Sequence, residues 1–205
     1  RSRTAPITRL EHLKVDKTRN MSLVEVQGPD GPLMVLMNNQ TFDHTNMDPH
    51  IVRSNALEEW VIINTTGDAH PMHLHFAQFQ IMSRQGFNSD KYALDMGYVD
   101  ADGNSIPPAD DGSFAPPIDV TDYLIRGSRR PPDANEMGWK DVVVSLPGEV
   151  TRIRIPFGPE AVPNRWPRRG YQPMPIGAAH KGDYVSHCHI LEHEENDMMM
   201  RFKIE

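Results

Sequence analysis

An all-β fold, a sandwich or barrel of short strands interrupted by two long loops, is what this sequence predicts, and three observations carry the prediction. Short apolar or alternating runs recur along the 205 residues and are separated by Gly- and Pro-containing turns. No long stretch repeats apolar residues at helical spacing. Two long stretches interrupt this pattern, 88–137, rich in Pro, Asp and Gly, and 158–182, with too many prolines for a helix or a central strand. Many short strands broken by such turns favour sheet packed on sheet.

Taken in order, residues 1–20 are polar and basic without periodicity, which suits a linker from a preceding domain, so the folded domain is expected over 21–205. "SLVEVQG" (22–28) alternates, and "PLMVLMNNQ" (32–40) is a continuous apolar run. "EEWVIINTT" (58–66) sets Trp60, Val61, Ile62 and Ile63 before a polar turn at Gly67 and Asp68. "HLHFAQFQIM" (73–82) reads as a further run with Ala77, Phe79 and Ile81 on one face. "KDVVVSL" (140–146) is answered by "TRIRIPF" (151–157), where Thr151, Ile153, Ile155 and Phe157 alternate with Arg152 and Arg154. The last run, "MMMRFKIE" (198–205), puts Met198, Met200, Phe202 and Ile204 on one side and Met199, Arg201, Lys203 and Glu205 on the other. Within the first insertion, "DADGN" (100–104) resembles the opening of a calcium loop but has Ser105 where that loop needs Gly, so an Asp-rich hairpin turn is expected. Ordered loops as long as these two insertions are usually functional or interaction elements.

Composition narrows the function classes. A net charge of -7, with basic residues scattered, argues against a nucleic-acid surface. The densest basic patch, Arg165, Arg168 and Arg169, reads as a solvated loop. No apolar run approaches the length of a membrane span. One cysteine excludes an internal disulfide, so Cys188 is to be judged by its neighbours. Asn20, Asn39 and Asn64 begin Asn-x-Ser/Thr triplets, which matter only in a secreted eukaryotic chain.

Those neighbours are histidines. Six of the ten fall in two clusters, "HPMHLH" (70–75) and "HCHILEH" (187–193). In a strand, residues two apart share a face, so His73 and His75 point one way, as do His187 and His189, while Cys188 points to the opposite face. One strand thus presents a thiol to one site and imidazoles to another. A thiolate, two imidazoles and a weak axial thioether form the blue-copper arrangement. Cys188, His193 and Met198 follow one another on one loop, and His70 is available as the second imidazole. Met200 is the alternative thioether if the register shifts by two. On the other side, His73, His75, His187 and His189 suit zinc, copper, iron or nickel; beside a blue-copper motif, copper is favoured. His12, His44, His50 and His180 stand alone and are expected to be ordinary hydrogen-bonded histidines.

At these residues the sequence resembles the C-terminal cupredoxin domain of a multicopper oxidase, since "HPMHLH" and "HCHILEHEENDMM" carry both copper signatures of that family. "GWKDVV" (138–143) and "FGP" (157–159) further resemble the branch of the spore-coat laccase, bilirubin oxidase and phenoxazinone synthase. The resemblance implies a cupredoxin-like Greek-key β-sandwich. It implies that His70, Cys188, His193 and Met198 bind a type 1 copper, that His73 binds the type 2 copper, and that His75, His187 and His189 bind the type 3 pair. An aromatic donor, a phenol or aminophenol, would give up electrons near His193, and these would pass through Cys188 to reduce oxygen to water. Glu194 matches an acid that assists proton delivery. A trinuclear cluster of this family takes eight histidines and this chain carries four, so an N-terminal cupredoxin domain or a companion chain is expected to provide the rest. A blue-copper electron carrier without oxidase activity is the alternative, but it leaves four histidines without a task. A metal-ion oxidase is weakened by the lack of a clustered Met-rich insertion.

Overall fold

The computed structural model describes residues 9–43, 49–162 and 181–205. Ten strands form two five-stranded sheets. The first holds β1 (Lys17–Gly28), β2 (Gly31–Met37), β4 (Leu57–Asn64), β6 (Gln80–Gly86) and β8 (Glu149–Pro156) in the order β2-β1-β4-β8-β6. The second holds β3 (His50–Val52), β5 (His70–Leu74), β7 (Val142–Ser145), β9 (Gly182–Cys188) and β10 (Met199–Ile204) in the order β3-β10-β9-β5-β7. From β4 to β9 each strand lies in the opposite sheet from its predecessor, so the two layers are laced together by the chain itself. The all-β sandwich expected from the runs is what the chain forms.

The main core lies between the sheets. Trp60 is at its centre, with Phe157 and Phe202 at ring-centroid distances of 5.9 and 5.8 Å. Its indole N–H donates to Glu58 at 2.9 Å, and that buried carboxylate is in turn held by Arg19 at 2.6 Å. Removing a ring so enclosed costs about 3–5 kcal/mol. The alternation read in the last run holds, with Met198, Met200, Phe202 and Ile204 all at most 2% exposed.

A second apolar cluster explains why other strands do not alternate. Val24, Val26, Leu36, Val61, Ile63 and Val150 face away from the main core, and Phe87, Tyr92, Tyr98 and Val120 cover them. Strands buried on both faces read as continuous apolar runs. The covering residues belong largely to the first insertion, which carries a short helix α1 (Ser89–Asp95), capped by the Asn88 side chain accepting from the Lys91 N–H. Arg84, itself buried, grips Glu136 at 2.5 Å and fastens the far end of that insertion. At its tip the Asp100 carboxylate accepts the N–H groups of Asp102 and Asn104, both at 2.9 Å, and Val99 bridges Ser105, which is a hairpin turn.

Two expectations change. The segment read as a linker over 1–20 packs on the body from Arg9 onward. Leu10 is fully buried among Leu57, Met82 and Val162, and β1 begins at Lys17, paired with Glu58. Its polar composition hid this because, beside Leu10 and the partly buried Leu13, hydrogen bonds do the docking: Arg9 to the Ile81 and Met137 carbonyls, and Arg154 to the Leu10, Glu11 and Leu13 carbonyls. The run 73–82 is not one strand. The chain leaves the second sheet after Leu74, turns at Phe76 with φ of 66°, and enters the first sheet at Gln80. Ala77, Phe79 and Ile81 are nevertheless all buried. Asn39 and Asn64 are fully buried, so their triplets are closed to modification in the folded chain. Residues 1–8, the Arg165, Arg168 and Arg169 patch and most of the second insertion lie outside the described residues. Among those described, no helix is long and apolar enough to cross a membrane.

Candidate metal centre

The site is built on the pairing of β5 with β9, which sets Met72 opposite Cys188, His73 opposite His187 and Leu74 opposite Ser186. Strand alternation sends His70, Met72 and Cys188 into the core and His73 to the other face. His193 arrives on a one-turn helix α2 (Leu191–Glu195). Backbone bonds close this loop: Met198 N–H donates to the His193 carbonyl at 2.8 Å, and Cys188 N–H to the Met198 carbonyl at 3.0 Å. His193 and Met198 are thereby returned to the thiol.

On the core side, the Nδ1 atoms of His70 and His193 lie 3.5 and 3.8 Å from the Cys188 sulfur. Two metal bonds of about 2.0 and 2.3 Å meeting at a trigonal angle place their donors about 3.7 Å apart, so this N, N, S triangle fits one ion of the kind that soft thiolate and imidazole hold. Met198 is fully buried in the same apolar cluster as Cys188, and its backbone bonds tie it to both Cys188 and His193. Burial pushes the Cys188 thiol up to about 11, with the carboxylates of Glu25, Asp68 and Glu194 adding to the rise. Burial, and then His70, lowers the pKa of His193, which keeps its nitrogen lone pair available.

The His70 tautomer follows from hydrogen-bond polarity. The Asn64 amide nitrogen donates to the carbonyls of Asp68 at 2.8 Å and Ser145 at 3.0 Å, so its Oδ1 is the acceptor facing Thr66. That oxygen accepts both the Thr66 N–H and the Thr66 hydroxyl, each at 2.9 Å. With its proton committed, Thr66 Oγ1 accepts from His70 Nε2 at 2.6 Å. His70 therefore carries its proton on Nε2 and turns the Nδ1 lone pair to the sulfur. Glu25 stands behind, with Oε1 3.4 Å from the same Nε2. Burial opposes its ionisation, but His70 and His193 hold its carboxyl below the ordinary value.

On the other side the opposite nitrogens are used. Nδ1 of His73 donates to the Asp141 carbonyl at 2.9 Å and Nδ1 of His187 to the Cys188 carbonyl at 3.0 Å. Nδ1 of His189 lies 3.4 Å from Glu194. The rings of His73 and His187 thus carry the proton on Nδ1 and the lone pair on Nε2. Donor atoms of His73, His187 and His189 lie within 4.8 Å of one another, and Nε2 of His75 is 3.1 Å from Nε2 of His187. Burial, and then the neighbouring histidines, lowers the pKa of His75.

The structure thus brings His70, Cys188 and His193 together on one side of β9 and His73, His75, His187 and His189 together on the other. Of the lone histidines, His12 is exposed, His50 accepts from the Asn38 amide at 2.9 Å, and His44 and His180 lie outside the described residues. Sequence reasoning passed over Asn64, Thr66 and Glu25. The only trace of them was a charge inside an alternating strand and a Thr four residues before His70.

The description "Multicopper oxidase" belongs to the family model that matches residues 8–205. A laccase of Bacillus subtilis is 30% identical over 191 residues, covering 93% of this chain and 28% of the relative. A multicopper oxidase of Arabidopsis thaliana is 30% identical over 188 residues, covering 91% of this chain and 29% of the relative. The chain therefore spans less than a third of the length of these relatives. Among solved structures, a multicopper oxidase from Aquifex aeolicus matches 98% of this chain with a TM-score of 0.58 at 19% identity, covering 32% of that chain, and shares its fold.

Proposed function

The chain belongs to the multicopper oxidase family, and from that premise we propose that it is a laccase-like C-terminal cupredoxin domain carrying one whole type 1 copper site and half of a trinuclear oxygen site. His70, Cys188, His193 and Met198 would hold the type 1 copper. His73 would hold the type 2 copper, and His75, His187 and His189 would hold the type 3 pair. The four further histidines would come from an N-terminal cupredoxin domain or a companion chain. Copper held in these places provides one-electron oxidation of phenols, aminophenols or related aromatic donors, and reduction of oxygen to water.

The observation that carries this reading is the back-to-back placement of two donor sets, the Nδ1 atoms of His70 and His193 turned to the Cys188 sulfur and, on the other side of β9, His73 and His187 with Nδ1 bonded to carbonyls and the lone pair on Nε2. His187 and His189 flank Cys188 in the chain, so the two sites are joined covalently through one residue of backbone. Glu194, 3.4 Å from His189 and 40% exposed, stands between the cluster and solvent and would hold a proton at that ring's Nδ1.

Copper content, visible spectrum and paramagnetic resonance test the reading. This chain alone should take up about one copper with an intense thiolate band and no oxygen consumption, and the complete protein about four with turnover. Copper uptake without a thiolate band sinks the proposal.

A further inference from the structure

A cleft of about 410 Å³ opens over His193, a size that suits a small organic molecule. Its apolar lining includes Leu33, Met34 and Ile190, with Leu33 69% exposed. The lining also carries the carboxylates of Asp68 and Glu192. Among the described residues lining the cleft there is no Lys or Arg. His193 lies at its floor with a side chain only 7% exposed, and its Nε2 is 3.9 Å from both Asp68 Oδ2 and the buried Glu25 Oε1. A donor approaching that ring edge therefore meets both apolar surface and negative charge.

We propose that this cleft selects aromatic electron donors that carry an ammonium or amino group and disfavours carboxylated or sulfonated ones, an inference that rests on His193 being the point of electron entry. The apolar lining takes the ring face. Asp68 and Glu192 accept N–H groups or pair with a positive charge, and they repel an anion by the like-charge juxtaposition that sets specificity at binding surfaces. A bare divalent cation would use the carboxylates but leave the apolar lining idle, which is why an aromatic cation fits the cleft better.

The test uses the complete, copper-loaded protein and two methoxyphenols that differ only at the end of a two-carbon arm, ammonium in one and carboxylate in the other. Their ring potentials are nearly alike, so a difference in kcat/KM reports binding. The ammonium compound should be favoured about tenfold at low ionic strength, mostly through KM, and less in high salt. Asp68→Asn and Glu192→Gln should each narrow the ratio while the thiolate absorption band stays unchanged. Equal kcat/KM for the two phenols overturns the inference, as does an unchanged ratio in both variants. So does saturable oxidation of ferrous ion with neither phenol reaching saturation. Failure to oxidise either phenol or ferrous ion, with copper fully loaded, would instead count against the laccase reading itself.

Discussion

The two donor groups on either side of β9 are built from neighbouring residues yet differ in nearly every physical respect. Around the thiol, Cys188 and His70 are fully buried and His193 is 6% exposed. In the imidazole group exposure rises from 4% at His187 to 44% for the His189 side chain. The thiol site is enclosed by this chain's own core, and its His70 tautomer is set by a hydrogen-bond chain that begins at two backbone carbonyls. The imidazole group runs from the buried His187, whose Nε2 meets that of His75 at 3.1 Å, out to the exposed His189. The contrast teaches that, on the proposed reading, one short strand can serve both a site this chain completes and a site completed by another surface.

The largest expected effect breaks the contrast at its hinge. Cys188→Ser replaces a soft thiolate donor with a hydroxyl, so the thiolate absorption should vanish and copper content should fall by about one per chain, with copper at the imidazole group retained in the complete protein. Loss of all copper would mean that the two sites are not separable. His73→Ala probes the other side. The thiolate band should persist while oxygen uptake by the complete protein falls on the order of a hundredfold or more, since a ligand is removed without touching the core. Retained turnover with a full band would remove His73 from the assignment.

Thr66→Val sharpens the account of enclosure. It keeps the shape but removes the acceptor for His70 Nε2–H, and copper retention at the thiol site should weaken about tenfold. Glu25, 3.4 Å away, limits the loss. Thr66→Ser should restore wild-type retention, measured by competition with a chelator. Equal weakening by both variants would point to packing and not to hydrogen bonding.

The last effect is global, lies outside both donor groups and serves as a control for them. Burial, then the nearby Arg19, lowers the pKa of His50 to about 4, so the folded chain keeps this ring neutral. The unfolded chain binds the proton more readily, which means stability is whole above the ordinary histidine value and falls as pH drops from about 6.5 toward 4, by on the order of 1–3 kcal/mol. Urea unfolding of His50→Gln should lose that part of the pH dependence. An unchanged slope would place the titration elsewhere.

What could be read from the sequence follows the range of the interactions. Alternation in 151–157 and 198–205 was legible because one face of each strand meets one core. The run 73–82 was not, because alternation continues in the side chains while the backbone changes sheet at Phe76. Leu10 went unread because a single buried side chain leaves no periodicity. The three-residue β3 is too short to show one.

By itself the sequence determined the strand-dominated class, and it determined the separation of the thiol from the imidazoles flanking it, because a period of two is a property of the extended backbone alone. Tertiary structure decided which partners meet them. Glu25 reaches His70 from β1, across the fold, whereas Thr66 and Asn64 meet it through the turn that joins β4 to β5. The closure of residues 188–198 by backbone bonds, not their spacing, returns His193 and Met198 to the sulfur. Such contacts depend on three-dimensional packing between segments, and that is why local pattern could name the ligand types but not the hydrogen bonds that orient them.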